Sequence, residues 1–511
     1  VLVDDVLDHG RRRTPNGVAL ITPTGTLDFT TLADRVHRLA AALAARTAPG
    51  DRVAVLSENR AEMVECYYAV PRAGCVLAFA NQRLAGAELA TLLADADPRV
   101  LIVEQALLDR LGDGLATLPS LTEVVVLQDT GGPGGYEALL ASGDAAWSPA
   151  PRHPDLAAWL IHTSGTTGRS KGAVLTHRNV TAGVVTGALG RPVLPDDVYL
   201  FPFPLCHVAG YNVLVQHLHG RPVVLPARFD ADTFWDDAGR HGVTTVSLAP
   251  TMLAMLLDHH GGAPRGHTLR TVSYGASAIP DELLRRAVAE LGCGFSQGYG
   301  MTELSGNAVF LDAALHRRGI EGEPHVLRTC GRPSPLVGIR IVDDDGRDLP
   351  VGGAGEIVVR GDQVTVGYWR RPDDTAAAFL PGGWLRTGDV GRFDAEGLLA
   401  VVDRKKDLIV TGGENVSSLE VEDVLHRHPA VRAAAVIGIP DPTWGEAITA
   451  VVAVRPGLVG DDALADELVA ACRAALASFK KPRRVVFVEE LPVGPSGKIL
   501  KAELRRRLVE G

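Results

Sequence analysis

No stretch of this chain stays apolar long enough to cross a bilayer. The segment 63–80 comes nearest, and Glu65, Pro71 and Arg72 interrupt it. The amino-terminal Val1-Leu2-Val3-Asp4-Asp5 carries acid where a signal peptide needs base. Cys66, Cys75, Cys206, Cys293, Cys330 and Cys472 form no Cys-x-x-Cys pair. That argues against a disulfide framework or a zinc site and suits reduced thiols in the cytoplasm. Basic clusters are scarce as well. The net charge is −10, and Arg11-Arg12-Arg13 and Arg505-Arg506-Arg507 are short and near the ends, so general nucleic-acid binding is not expected. Neither a fixed-period repeat nor a low-complexity tract is visible, which removes solenoids and disordered linkers.

What is present is size and alternation. A chain of 511 residues exceeds what one core usually fills, so at least two domains are expected. Helical and strand-like patterns alternate from Phe29: a helix through Ala45, a strand over Arg52–Leu56, a helix over Glu62–Arg72, and strands over Val100–Val103 and Val124–Leu127. Thr244–Leu248 and Thr271–Tyr274 repeat the strand pattern. The rhythm predicts α/β architecture with largely parallel sheets over 1–335. From about 336 the pattern becomes antiparallel, with Gly338–Val342, a turn at Asp343–Gly346, Gly355–Arg360, and a strand pair flanking Asp394–Gly397. A small β-barrel-like region over 336–402 is therefore expected. The charge run Asp403-Arg404-Lys405-Lys406-Asp407 reads as a solvated turn or a domain boundary. Beyond it, Val431–Gly438, Ala463–Leu476 and Arg484–Val488 give strand, helix and strand, enough for a smaller α+β domain over 408–511.

The chemically informative stretch is His162-Thr163-Ser164-Gly165-Thr166-Thr167-Gly168-Arg169-Ser170-Lys171-Gly172, set between apolar runs that predict strands. Its glycines permit close backbone approach, its hydroxyls supply donors, and Lys171 is a point charge suited to phosphate. A mobile surface loop has the same composition. The spacing is not that of a Walker loop. Pro204-Leu205-Cys206-His207-Val208-Ala209-Gly210-Tyr211 follows, then Tyr274-Gly275-Ala276-Ser277, Gln297-Gly298-Tyr299-Gly300-Met301-Thr302-Glu303, and Trp384-Leu385-Arg386-Thr387-Gly388-Asp389. Near the end stands Pro495-Ser496-Gly497-Lys498. Taken singly these read as a packed histidine, a turn, a helix cap and a surface turn. As chemistry, Tyr299 offers an aromatic face for a base, Thr302 a hydroxyl for phosphate, and Glu303 a hard oxygen for Mg²⁺. Asp389 has the acceptor capacity for a vicinal diol.

In this order, the motifs resemble those of the acyl-adenylate-forming (ANL) superfamily, which holds acyl-CoA synthetases, peptide-synthetase adenylation domains and firefly-type luciferases. The resemblance covers essentially the whole chain and points to an acyl-CoA synthetase of the fatty acyl-CoA ligase type. It implies an ANL adenylating-enzyme fold: an amino-terminal adenylation domain over 1–402, a hinge at 403–407 pivoting on Lys406, and a mobile domain over 408–511. It also implies the cofactors and substrates ATP, Mg²⁺ and coenzyme A. ATP or AMP would be held by Thr163, Ser164, Gly165, Thr166, Thr167, Gly168, Lys171, Gly275, Ala276, Ser277, Gly298, Tyr299, Gly300, Met301, Thr302, Asp389, Arg404 and Lys498, and the metal by Glu303 and Thr167. Lys498, Glu303, His207 and Thr302 would be catalytic, and Gly412, Gly413, Glu414 and Asn415 would line the coenzyme A tunnel.

The resemblance assigns Lys498 to the bridge between the substrate carboxylate and the α-phosphate. At an effective dielectric near 20, a charge pair at ~4 Å is worth roughly 4 kcal/mol, about a thousandfold in rate. The acyl pocket would comprise His207, Val208, Ala209, Gly210, Tyr211, Val246, Ser247, Leu248, Ala276, Met301 and Leu304. These are mostly apolar or small, so a medium or long fatty acid is expected ahead of an aromatic or short branched one. No acidic residue lies between Phe201 and Gly220 to pair with an α-ammonium, and Gln297-Gly298 stands where malonate-type enzymes carry arginine. An acyl-carrier-protein thiol is the alternative acceptor, although no insertion typical of such ligases is visible. A regulatory nucleotide-binding module and an oxygenase are the readings from other classes. A cytoplasmic monomer or homodimer, without stable membrane insertion, completes the expectation.

Overall fold

The computed structural model describes residues 1–127, 134–163, 170–259, 263–264, 266–275, 279–494 and 499–510. Four sheets organise them. A seven-stranded sheet has a parallel centre in which Val76–Phe79, Arg52–Leu56 and Val100–Val103 lie side by side. These strands are almost continuously apolar because both of their faces are buried. Ala157–Thr163 joins this sheet in parallel, and Lys171–Thr176 folds back on it antiparallel. A nine-stranded sheet runs parallel through Thr245–Leu248, Thr271–Gly275 and Gly294–Met301. Gly306–Leu311 and Arg332–Pro333 extend it antiparallel. The expected α/β architecture is observed, with antiparallel strands at the sheet margins.

The helix His177–Gly190 shows how local sequence fixes an element. Thr176 accepts from the Asn179 amide at 3.1 Å, and the Asn179 side chain accepts from the Thr176 amide at 2.9 Å. This reciprocal cap starts the helix on leaving the strand, and Arg191 closes it. Asp28 caps the helix Phe29–Ala44 in one direction, accepting from the Thr31 amide at 2.6 Å.

A third sheet is antiparallel and is built from Gly338–Val342, Gly355–Arg360, Phe379–Leu380, Trp384–Phe393 and Leu399–Arg404. Its last strand pairs Arg404 with Asp389, so Asp403 and Arg404 belong to the sheet and the connecting turn begins at Lys405. The fourth sheet carries the remainder, with Val431–Asp441 and Gly445–Val454 as a long hairpin and Arg484–Phe487 added in parallel. The helices Ser418–His426 and Asp462–Ala475 pack their apolar faces on it. No helix among the described residues is long and apolar enough to cross a membrane.

Candidate active site

The glycine-rich loop closes the hairpin between Ala157–Thr163 and Lys171–Thr176, in which Thr163 stands opposite Lys171. Ser164, Gly165, Thr166, Thr167 and Gly168 lie outside the described residues, as do Ala276, Ser277 and Lys498. The base of the loop is fixed. The Ser170 hydroxyl donates to the Thr163 carbonyl at 2.7 Å, and the Thr163 hydroxyl to the Lys171 carbonyl at 3.4 Å.

Lys171 meets two residues that sequence reasoning missed. Its ammonium pairs with Asp374 at 2.5 Å and lies 5.3 Å from the centre of the Tyr368 ring. The Tyr368 hydroxyl donates to Glu303 at 3.0 Å. Burial and the Glu303 charge raise the Tyr368 phenol above its ordinary value, so it remains a donor. Gly367–Tyr368 is a two-residue strand on the edge of the hairpin, with Tyr368 opposite Ala173. The loop lysine and the buried Glu303 are thereby joined across one aromatic ring. A buried carboxylate oxygen suits a hard divalent ion shared with phosphate oxygens, which is the chemistry of Mg²⁺. An incoming phosphate would take the place of Asp374 on Lys171.

Asp389 is the second anchor. It is buried, accepts the Tyr299 hydroxyl at 2.7 Å, and pairs with the Arg404 guanidinium at 2.7 Å. Burial, and next the Asp389 charge, push the Tyr299 phenol well up. Three residues named from separate motifs therefore form one cluster. Tyr299 sits between Gly298 and Gly300, and backbone requires the second glycine. A Cβ at Gly300 would lie 2.0 Å from the Gly306 carbonyl oxygen, while one at Gly298 would meet the Asn307 side-chain nitrogen at 2.0 Å and displace that side chain. Gly275 stands opposite Gly298 where the parallel strands end, the usual crevice for a ligand in an open α/β sheet. Thr302 and Met301 follow at half-buried positions.

His207 is half-buried at the entry to the short turn Val208–Gly210, which leads into the helix Tyr211–Leu218. Its neighbour Cys206 donates to Gln82 at 3.2 Å, and burial pushes that thiol up to about 12. A Cys–His nucleophile is therefore not what this pair offers.

Strand alternation puts Val246 and Leu248 on one face of the strand and Ser247 on the other. Val246 and Leu248 are sealed in the core with Leu253, Leu256 and Val272, while Ser247 accepts the Tyr199 hydroxyl at 2.7 Å. Leu304 is likewise fully buried, packed under the antiparallel sheet against Ile341 and Ile357. Val246, Leu248 and Leu304, expected in the acyl pocket, are thus buried among core side chains. Tyr211 is buried as well, but its hydroxyl accepts from Arg191 at 2.6 Å. Arg191 carries no motif signal and follows an ordinary helix, so nothing in the sequence marked it.

Gly412 and Gly413 form the turn of the Ile409–Thr411 and Glu414–Val416 hairpin, Glu414 and Asn415 begin its second strand, and all four are exposed. Lys406 is exposed in the turn after Arg404. Asp403 is buried and accepts both the Ser418 amide and the Ser418 hydroxyl at 2.6 Å. This links the last strand of the amino-terminal part to the first helix after the turn.

Residues 7–369 match the AMP-binding enzyme family, and residues 420–498 match the AMP-binding enzyme C-terminal domain. A sulfoacetate–CoA ligase from Cupriavidus necator is 37% identical over 90% of this chain and 88% of its own length. A feruloyl-CoA synthase from an Amycolatopsis species is 38% identical over 97% of each. The o-succinylbenzoate CoA synthetase of Bacillus subtilis, solved with its acyl-adenylate intermediate, superposes with a TM-score of 0.85 at 31% identity, covering 98% of this chain and 97% of that one.

Proposed function

The chain belongs to the family of AMP-binding enzymes and is an ATP-dependent carboxylate–CoA ligase, and from that premise we propose that the acid it activates is compact, aromatic or short. The observation that carries this reading is Arg191 reaching Tyr211 and Ser247 where an apolar channel for a long acyl chain was expected. The burial of Val246, Leu248 and Leu304 in the core also supports it, as does the similarity to ligases named for sulfoacetate and ferulate.

In the first step a carboxylate oxygen attacks the α-phosphorus of ATP. The bond to the bridging oxygen breaks, and pyrophosphate leaves. In the second, the coenzyme A sulfur attacks the acyl carbon, its proton is lost, and AMP departs with the electrons of the anhydride bond. The reactive species is the mixed anhydride, so no enzyme nucleophile is required.

We assign Asp389 to the ribose hydroxyls, with Tyr299 and Arg404 orienting its carboxylate. The Tyr299 face and the Gly275–Gly298 crevice take the base. Lys171 takes a phosphate after releasing Asp374. Glu303 and Thr167 would hold Mg²⁺, which offsets charge on the phosphate oxygens when bound. Thr302 serves the α-phosphate, His207 lies beside the reacting carboxylate, and Lys498 offsets the repulsion of the two anions. Residues 1–402 form the adenylating domain and 408–511 the moving one. The exposed Gly412–Asn415 turn faces the site only in the second step, after rotation about Lys406.

Conversion of ATP to AMP across a carboxylic-acid panel, with and without coenzyme A, tests the reading. Turnover of aromatic or short acids that depends on coenzyme A is expected. Preference for long unbranched acids would refute the substrate class, and a preference for a loaded carrier protein over coenzyme A would move the acceptor.

A further inference from the structure

Arg191 closes the helix His177–Gly190, and its guanidinium is held entirely by neutral groups. Its Nη2 donates to the Tyr211 hydroxyl at 2.6 Å and to the Asn212 side-chain oxygen. Its Nη1 lies 3.5 Å from the Ser247 hydroxyl. The Tyr211 and Phe310 rings stand 5.9 and 6.0 Å from its central carbon. Its Nε is buried and has no partner among the described residues. None of the ion pairs among the described residues includes Arg191. Tyr199, Tyr211, Asn212 and Ser247 around it are all buried.

A permanent cation set in a largely dehydrated neighbourhood without a counter-ion is unfavourable unless an anion completes it. A capping cation at a helix carboxyl end gains from the macrodipole. It could do so while extended into water, however, and it need not turn inward onto three buried polar side chains.

The residues gathered here are those next to the reacting end of the site. Tyr211 and Asn212 directly follow the turn that His207 opens. Ser247 stands on the strand next to Thr271–Gly275. Phe310 is the partner of Gly298 in the neighbouring strand. The Tyr211 ring also fills the space in which Gly187 and Gly306 would carry a Cβ, at 2.7 and 2.9 Å. This leaves the phenol little freedom, and it presents a fixed oxygen to the guanidinium.

Resting on the ligase reading above, we propose that Arg191 is a specificity-determining residue: it receives a second anionic group, carboxylate or sulfonate, at the end of the acid remote from the carboxyl that is adenylated. Arginine suits both anions because its planar fork donates in pairs. The step from His207 to Tyr211, one short 3-10 turn and one helical residue, spans about 7 Å. An acid with its two ends that far apart is a short chain or a single ring. The proposal places the anion receptor at Arg191, away from the position before the Gly298–Glu303 segment where Gln297 stands.

The test compares matched acids in the full-length enzyme by pyrophosphate exchange: succinate with butyrate, terephthalate with para-toluate, and para-sulfobenzoate as the sulfonate arm. The expected result is preference for the members with two anionic groups. In Arg191→Met that preference falls about 100-fold in kcat/KM, mainly through KM, while the paired monoacids change little. Arg191→Lys recovers part of it. Whether carboxylate or sulfonate is the natural group follows from which arm has the higher kcat/KM. An equal loss on both members of every pair, together with a lowered Tm, would make Arg191 a structural cap and overturn the proposal. Efficient turnover of monoacids alone would overturn it too, leaving the ligase reading intact. Absence of coenzyme A-dependent AMP release with every acid, aromatic and fatty monoacids included, would overturn both.

Discussion

Replacing Asp389 with asparagine keeps the shape of the side chain and removes the charge on which Tyr299 and Arg404 converge. In the protein as described, one carboxylate oxygen accepts the Tyr299 hydroxyl and the other pairs with Arg404, each at 2.7 Å. Asparagine offers one oxygen and one NH₂ group, so either the Tyr299 hydroxyl or the Arg404 guanidinium would lose its acceptor. A hydrogen bond to a buried charged group contributes roughly 1.5–3 kcal/mol. Losing one such bond to the ribose weakens ATP binding by about 10- to 150-fold.

The assay is the KM for ATP in pyrophosphate exchange, measured with ATP and with its 2′-deoxy and 3′-deoxy analogues. The wild type should disfavour the deoxy compounds by that factor. In Asp389→Asn the penalty for a missing hydroxyl should collapse toward unity, because the two changes remove the same interaction and cannot add. Thermal stability serves as the control, since Arg404 is partly exposed and can be solvated once its partner is neutral. Additive losses from the mutation and the missing hydroxyl, or equal use of ATP and its deoxy forms by the wild type, would show that Asp389 does not hold the sugar.

Lys498→Ala should abolish acyl-AMP formation while thioester formation from supplied acyl-AMP persists; comparable loss of both would refute the division of labour. Lys406→Pro should do the reverse. Hydrogen bonds in that turn come from the amides of Lys405, Asp407 and Leu408, so folding should survive while rotation is impaired, read as retained pyrophosphate exchange without thioester. Acid should destabilise the fold below about pH 6.5. Burial depresses His177 and His217 to about 4. Both are neutral when folded, so their contribution is complete above the unfolded value near 6.5 and is lost as pH falls toward 4. The loss reaches about 3 kcal/mol for each histidine at the low end. His217→Asn should flatten the dependence of Tm on pH between 6.5 and 4, and an unchanged slope would exclude His217 as a source.

Much of the fold was legible in order along the chain because its signals are local. The helix expected from Phe29 to Ala45 ends at Ala44, and the strands at Arg52–Leu56 and Val100–Val103 fall where apolar runs placed them. The antiparallel turn at Asp394–Gly397 is likewise flanked by two strands. The grouping of Tyr299, Asp389 and Arg404 was named through family resemblance, and the structure supplies the contacts between them. Val246, Ser247 and Leu248 looked equivalent in sequence, yet a pleat turns them to opposite faces, and what covers each face comes from elsewhere in the chain.

The amino acids in order set which segments became helices and strands and which motifs carry nucleotide chemistry, because periodicity and turn residues act over a few positions. Only the folded chain could bring Tyr368 between Lys171 and Glu303, or turn Arg191 onto Tyr211 and Ser247. Those pairings join residues far apart along the chain, and their energies depend on burial and on distances that exist only once the sheets have packed.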